Sequence, residues 1–278
     1  MKAEGTLYLV ATPIGHLGDF SFRGVEVLRS AAVIACEDTR HTRRLLTHYD
    51  IGAPLTSLHA HSHEATITRL LDRVAAGENV AYVTDAGSPG ISDPGGLLAE
   101  RAHERGLRVV PIPGPSAVVA ALMAAGFAAD RFVFLGFLPK RGSARAAMME
   151  RIKSSPFTVV CYEAPGRTLA LLNELGERCG PERPAAVARE LTKLHEEVRR
   201  GTLAELATYY QHHPARGEVT VVVGSCTDVA AGAEPASDAD QAAMAATLKD
   251  SGSPSAVAKE LSKRLGITRQ AAYRLLTR

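Results

Sequence analysis

Cysteine is scarce in this 278-residue chain, which has only four cysteines and no CxxC motif. Cys36, Cys161, Cys179 and Cys226 are dispersed, and three of them sit at or near the ends of apolar, strand-like runs. A disulfide framework or a cysteine metal site would need closer or paired spacing. The pattern therefore indicates free thiols in a reducing compartment.

Long hydrophobic runs are also missing. No apolar stretch approaches the roughly 20 residues that a membrane-spanning helix needs, and Met1–Thr6 leads straight into a strand-like run without the apolar core of a signal peptide. We expect a cytoplasmic protein with no membrane partner.

Two nucleotide-binding fingerprints are absent as well. The chain contains neither GxGxxG nor GxxxxGK[ST]. The first would place a dinucleotide on a glycine-rich turn, and the second would cradle the phosphates of a nucleoside triphosphate. These absences argue against a dinucleotide-dependent enzyme and against a P-loop nucleoside triphosphatase.

Charge is distributed unevenly along the chain, although the total is only +2. Residues 253–278 carry six basic side chains and one acidic side chain, a net of +5, which leaves −3 for the first 252 residues. The C-terminal segment is thus a separate electrostatic unit whose expected partner is a polyanion.

Alternating strand-like and helix-like patterns predict an α/β protein with two lobes. We expect a largely parallel sheet in residues 1–127 and a mixed sheet in residues 128–226, with a cleft between them. Alanine, glycine, proline and aspartate predominate in residues 227–237, as in a linker. Residues 238–278 then read as a small all-α module that resembles a helix-turn-helix.

Glycine and proline are concentrated in loops that follow predicted strands. Val83–Gly95 holds three glycines, two prolines and two aspartates where a strand gives way to a helix. Such a loop is longer than an ordinary strand-to-helix turn, and ligands bind at the carboxyl ends of strands in α/β sheets. Ala11–Phe20 and Pro111–Ala117 are loops of the same kind, and the latter places Ser116 at a helix start with free N–H groups. We interpret these loops as a binding site.

A polar cluster occupies Cys36–Arg44. Glu37 and Asp38 suit proton transfer, while Arg40, Arg43 and Arg44 suit phosphate. The alternative is a capped and solvated helix end, which residue types alone do not exclude.

Three histidines, His59, His61 and His63, have the two-residue spacing that would point them the same way on a strand. Zinc ligands also need supporting carboxylates and a suitable geometry, so we expect no metal. On these grounds alone, the residues do not name a reaction.

In order along the chain, several motifs resemble the tetrapyrrole-methylase superfamily, and more narrowly its ribosomal RNA branch. They are Ala11–Asp19, Glu37–Arg40, Asp85–Gly95, Pro113–Ala117, Tyr162–Pro165 and Arg189–Lys193. The resemblance runs from about Thr6 to Ser225, and the C-terminal module is similar as well. His16, His61, His63 and Gly90 depart from the pattern of that branch, which weakens the metal hypothesis further and leaves the loops intact.

The resemblance implies a two-lobed tetrapyrrole-methylase-like fold, S-adenosylmethionine as methyl donor, and a homodimer. It implies methylation of the 2′-hydroxyl of a cytidine in the decoding region of 16S rRNA, within the small ribosomal subunit. The donor would lie between the lobes, held by Pro13, Asp85, Ala86, Gly87, Ser88, Ile91, Ser116, Ala117, Tyr162 and Leu191. Glu37 and Asp38 are then candidates for the catalytic base, and Arg40 for a phosphate contact.

Two other functions fit part of the pattern. One is a methyltransferase acting on a small tetrapyrrole of the precorrin or uroporphyrinogen type, although such a substrate needs no basic helical module. The other is a nucleic-acid-binding regulator whose α/β lobes sense a ligand, although the Glu37–Arg44 cluster suggests that the cleft itself meets the polyanion.

Overall fold

The computed structural model describes residues 5–58 and 64–226, together with the single positions Val257, Leu261, Ala272 and Leu276. The first lobe contains β1 (Thr6–Val10), α1 (Phe22–Ser30), β2 (Val33–Cys36), α2 (Thr39–His48), β3 (Leu55–Ser57), α3 (Glu64–Ala75), β4 (Val80–Val83), α4 (Gly95–Glu104), β5 (Arg108–Ile112) and α5 (Ala117–Ala125). The second lobe contains β6 (Phe132–Phe137), α6 (Ser143–Ser154), β7 (Thr158–Glu163), α7 (Thr168–Cys179), β8 (Pro184–Arg189), β9 (Glu197–Thr202), α8 (Leu203–His212) and β10 (Val219–Val223). Short 3-10 turns at Leu17–Asp19 and Pro165–Arg167 complete the set.

The first sheet has the strand order β3-β2-β4-β1-β5, and all of its pairings are parallel. Its central strands β2 and β4 are buried at every position, because helices cover both faces. This explains why they read as continuous apolar runs rather than as alternating patterns. The expectation of a parallel sheet is confirmed. All strand ends from which the predicted binding loops leave lie at one edge.

The second sheet has the order β6-β7-β10-β8-β9 and is mixed, as predicted. Strands β6 and β7 pair in parallel, and the other pairings are antiparallel. The sequence predicts that the third strand of this lobe runs from Ala186 to Leu191, but β8 spans Pro184–Arg189. Glu190 and Thr192 adopt positive φ values of 50° and 65°, which turn the chain out of the sheet.

Helix α5 joins the two lobes. It follows a strand of the first sheet, yet its buried residues Val118, Ala121 and Leu122 pack on Val160 and Val222 of the second sheet. This covers one face of the second sheet, while α6, α7 and α8 cover the other. The start of α5 therefore lies between the two sheets.

The predicted linker and the predicted helical module lie outside the described residues, apart from the four single positions, each of which is helical. The three-helix arrangement of residues 238–278 stays a prediction. Within the described ranges, no helix is both long and apolar enough to cross a membrane.

Candidate functional site

A cavity of about 400 Å³ opens between the two lobes. That volume lies within the range of small-molecule sites. From the first lobe it is lined by Ile14, Glu37, Thr84, Asp85, Ala86, Gly87, Ser88, Ile91, Ser92, Ser116 and Ala117. The second lobe contributes Phe137, Tyr162, Glu163, Ala164, Pro165, Gly217, Glu218, Val219 and Thr220. The cavity thus collects the loops beyond β1, β2, β4 and β5 at one place.

The glycine-rich loop after β4 is fixed by one carboxylate. Asp93 accepts hydrogen bonds from the backbone N–H of Gly90 (2.9 Å) and of Gly95 (2.6 Å), and from the hydroxyl of the buried Tyr82 (3.2 Å). Gly87 and Gly90 have φ values of +84° and +86°, a region that side chains disfavour. The composition that marked this loop as a site is therefore what its backbone path requires.

The same loop is tied to its neighbours. The backbone N–H of Thr12 donates to the carbonyl of Gly87 (2.9 Å), and the N–H of Gly87 donates back to the carbonyl of Thr12 (3.1 Å). The Ser88 hydroxyl donates to the carbonyl of Pro115 (3.3 Å). Three loops that are far apart in the sequence are thus joined by hydrogen bonds into one wall of the cavity.

Helix α5 points its amino end at the cavity. Ser116 is the N-cap residue, but its side chain makes no capping hydrogen bond. Both Ser116 and Ala117 line the cavity. The first backbone N–H groups of a helix lack intrahelical partners and carry partial positive charge. This wall therefore suits an anionic group of a ligand.

Glu37 is the member of the predicted polar cluster that lines the cavity. Burial, together with the nearby charges of Asp85 and Asp93, raises the pKa of its carboxyl. Asp85 lies beside it and accepts a hydrogen bond from the backbone N–H of Asp38 (3.1 Å), which holds the loops after β2 and β4 together. A carboxylate with a raised pKa is a stronger base than an ordinary glutamate.

Asp38 and Arg40 are placed differently, because neither lines the cavity. Asp38 is the N-cap of α2 and accepts hydrogen bonds from the backbone N–H (2.8 Å) and the guanidinium (3.0 Å) of Arg40. The hydrogen bond from the Arg40 side chain lowers the pKa of Asp38 to about 2. This arrangement matches the capped helix end that the sequence left open, and their catalytic roles stay predictions.

Two predicted donor contacts lie off the cavity wall. Pro13 is buried behind the wall, and the next residue, Ile14, takes the lining position. Leu191 packs with Ile14 and Val118 in the core between the lobes. Pro13 and Leu191 therefore lie beside the cavity and do not line it.

Several residues that line the cavity were not predicted from the sequence. Glu163, Ala164 and Pro165 belong to a motif that pointed to this place, and they were not singled out. Gly217–Thr220 gave no local signal, because they reach the cavity through the pairing of β10 with β7. Phe137 also gave none, since its position depends on an irregularity in β6.

The ionisable lining groups other than the Tyr162 phenol are all carboxylates: Glu37, Asp85, Glu163 and Glu218. The buried Glu163 is paired with Arg167, and Glu218 with Lys193. Among the described residues that line the cavity, none is basic. An acidic cavity of this kind attracts a cation and repels phosphate.

The three histidines of the metal hypothesis lie outside the described residues. Elsewhere in the part of the chain that is described, no group of histidine, cysteine or carboxylate side chains is arranged to hold a metal ion.

Comparison with known proteins shows which family and which relatives this chain resembles. The family model of Tetrapyrrole (Corrin/Porphyrin) Methylases matches residues 6–207. A protein from Xylella fastidiosa (strain Temecula1) named Ribosomal RNA small subunit methyltransferase I is 43% identical over 275 residues, covering 98% of this chain and 99% of its own length. A protein of the same name from Synechocystis sp. is 46% identical over 223 residues, covering 80% of each chain.

Solved structures share the fold at low identity. Diphthine synthase superposes with a TM-score of 0.63 at 18% identity, covering 79% of this chain and 90% of its own. Uroporphyrin-III C-methyl transferase from Thermus thermophilus, complexed with S-adenyl homocysteine, gives a TM-score of 0.55 at 22% identity, covering 81% and 100%. At these identities the likeness concerns the fold alone.

Proposed function

The chain belongs to the tetrapyrrole (corrin/porphyrin) methylase family, and from this premise we propose that it transfers a methyl group from S-adenosylmethionine to the RNA of the small ribosomal subunit. The resemblance and the two-lobed fold expected from the sequence are confirmed. Relatives that match almost the whole chain carry the name of small-subunit ribosomal RNA methyltransferases. Their name supports an RNA substrate.

The observation that carries the donor assignment is the charge of the cavity. S-adenosylmethionine has a sulfonium and an ammonium against one carboxylate, so it is a net cation at neutral pH. Asp85 suits its positive groups, and the amino end of α5 at Ser116 suits its carboxylate. When bound, the donor supplies a methyl group on positively charged sulfur.

The acceptor in our proposal is the 2′-hydroxyl of a cytidine, as the resemblance implies. A ribose hydroxyl is a weak nucleophile at neutral pH, so a base that removes its proton accelerates the reaction. Glu37 lines the cavity and has a raised pKa, and we assign it this role. The hydrogen-bonded walls around Gly87 and Ser116 would hold the reacting groups in line, and this positioning contributes much of the rate.

The phosphates of the RNA need a different surface from the acidic cavity. The exposed side of α2 carries Arg40, Arg43 and Arg44 within two turns, and this helix begins at Thr39, two residues after Glu37. Arg40 is paired with Asp38, whereas Arg43 and Arg44 form no ion pair with a described residue. We therefore assign the phosphate contacts chiefly to Arg43 and Arg44.

One assay tests the function as a whole. The protein is incubated with donor labelled in the methyl group and with small ribosomal subunits, naked 16S rRNA or uroporphyrinogen in parallel. We expect label on a ribose of the RNA and none on the tetrapyrrole. Label on the tetrapyrrole alone, or on no substrate, would refute the proposal, and mapping of the methylated nucleotide tests the cytidine assignment.

Replacing Arg43 and Arg44 together by alanine is expected to weaken binding to small subunits and to reduce its dependence on salt. Each lost phosphate contact should lower the slope of log affinity against log salt concentration by about one. Affinity for the donor should not change, because neither side chain lines the cavity. Arg151→Ala, at an exposed arginine on α6 that lies in no described ion pair, is the control. An unchanged salt slope in the double variant would contradict the assignment.

A homodimer is a further expectation, since the resemblance implies it and two-fold symmetry is the commonest arrangement of oligomers. Light scattering at working concentration should report twice the 29.5 kDa of the chain. A mass of one chain over the whole concentration range would refute it.

A further inference from the structure

One aromatic side chain at the mouth of the cavity is largely exposed. Phe137 is 59% exposed and also lines the cavity. A phenylalanine in this position gives up much of the free energy that burial would provide. An exposed aromatic ring at the entrance of a binding site is therefore a candidate contact for a ligand.

An irregularity in β6 places this ring. Phe134 pairs with Val160 and Phe137 with Tyr162, so that three steps along β6 match two steps along β7. The extra residue is a bulge, and Gly136, with φ of +62°, accommodates it.

The bulge changes the face on which Phe137 lies. In a regular strand, side chains three positions apart point to opposite faces. Here the rings of Phe134 and Phe137 both contact the ring of Tyr162, with centroids at 5.0 Å and 5.3 Å. The bulge thus turns Phe137 toward the cavity, beside a second aromatic ring that supports it.

The opposite side of the mouth also presents an apolar side chain. Ile91 of the first lobe lines the cavity and is 45% exposed. The next residue, Ser92, has a φ of +66°, and a side-chain carbon built on Gly136 would lie 3.8 Å from its hydroxyl oxygen. The segments that carry Ile91 and Phe137 therefore lie next to each other across the cleft.

We propose that Phe137, together with Ile91, forms a subsite for a nucleobase, namely the base of the nucleotide that is methylated. This inference rests on the proposed function. A ribose hydroxyl that reaches Glu37 carries its own base with it, and that base must leave the stack of the RNA. Carboxylates line the cavity, and Phe137 and Ile91 add an exposed apolar and aromatic surface to it. Unstacked RNA bases bind by stacking on aromatic rings.

The adenine of the methyl donor is a second source of the same chemistry, and the experiment must separate the two. Affinity for S-adenosylhomocysteine is measured by calorimetry, and kcat/KM for small subunits by methyl transfer. Phe137→Ala should leave the affinity for S-adenosylhomocysteine within about twofold of the wild type. It should lower kcat/KM for small subunits by about 5- to 150-fold, the range that loss of one base-stacking contact produces.

Three further variants make the result specific to the aromatic face. Phe137→Leu keeps apolar bulk against Tyr162 but should fail like Phe137→Ala, whereas Phe137→Tyr should restore activity. Phe132→Ala removes another exposed phenylalanine of β6, 41% exposed and away from the cavity, and should have no effect.

The outcomes are distinct. If wild-type protein methylates subunits and Phe137→Ala does so equally well, the subsite is refuted while the proposed function stands. If Phe137→Ala loses affinity for S-adenosylhomocysteine instead, the ring holds the adenine of the donor and the assignment to the RNA base is overturned. If wild-type protein transfers no methyl group to RNA, the proposed function and the subsite both fall.

Discussion

Replacing Glu37 by glutamine is expected to lower kcat for methylation of small subunits by about two to four orders of magnitude, the usual contribution of a general base. Glutamine keeps the size of the side chain and its place on the cavity wall, but it does not accept a proton from the ribose hydroxyl. Affinity for the donor should remain close to that of the wild type, because Asp85 still supplies a negative charge to the cavity.

The neighbouring residue provides the comparison for this variant. Asp38→Asn keeps the cap of α2, since asparagine caps helices about as well as aspartate. It should retain most of the activity, because the carboxylate of Asp38 is engaged with Arg40 and does not line the cavity. A loss in Asp38→Asn as large as in Glu37→Gln, or full activity in Glu37→Gln, would assign the base to another residue.

The pH dependence gives an independent check. Glu37 acts as a base only when ionised, so the rate should rise with pH as its carboxyl loses its proton. Because burial and the charges of Asp85 and Asp93 raise the pKa of Glu37, this rise should lie at a higher pH than for an ordinary glutamate. Asp85→Asn removes one of those charges, so the rise should move to lower pH. It should vanish in Glu37→Gln.

Much of the fold could be predicted because local signals and tertiary structure agree. The sequence predicts helices over Phe22–Ser30 and Thr39–His48, and α1 and α2 have these bounds. The side chains of their N-caps, Ser21 and Asp38, accept hydrogen bonds from backbone N–H groups of the first turn. The buried strands β2 and β4 are apolar throughout and have clear bounds. The end of β8 could not be predicted from the sequence. Glu190 and Thr192 turn the chain there with positive φ values, although neither residue type signals such a turn.

The candidate site also contains residues that could be predicted from local sequence and residues that could not. The walls made by Asp85–Ile91 and by Ser116 were predictable, because both belong to glycine- and proline-rich loops that follow predicted strands. Glu37 and Asp38 are adjacent and chemically alike, yet the first lines the cavity and the second caps a helix. Only the packing of the loops after β2 and β4 separates them. Phe137 and Gly217–Thr220 depend on a bulge and on the pairing of β10 with β7, which are long-range features.

Gly87→Leu is expected to abolish binding of S-adenosylmethionine, because Gly87 lies on the wall of the cavity that the first lobe provides. Gly87 has a φ of +84°, and a side-chain carbon built there lies 3.5 Å from a methyl carbon of Ile14, so that alanine would meet only ordinary contacts. The longer leucine side chain would extend beyond this position into the cavity that Gly87 lines. The unfavourable φ costs about 1–2 kcal/mol, which is less than the 5–15 kcal/mol that usually stabilises a domain. The variant should therefore remain folded.

Gly90→Leu separates loss of space from strain in the backbone. Gly90 lies in the same loop with a φ of +86°, but it does not line the cavity. If the leucine at position 87 acts by filling the cavity, calorimetry should show affinity for the donor reduced beyond detection in Gly87→Leu and largely retained in Gly90→Leu, with both proteins unfolding cooperatively on heating. Equal losses in the two variants would show that the loop path as a whole, rather than the open space beside Gly87, determines donor binding. A folded Gly87→Leu protein with wild-type affinity would remove the Asp85–Ile91 loop from the donor site, because a side chain of this size and a bound donor would compete for the same space on that wall.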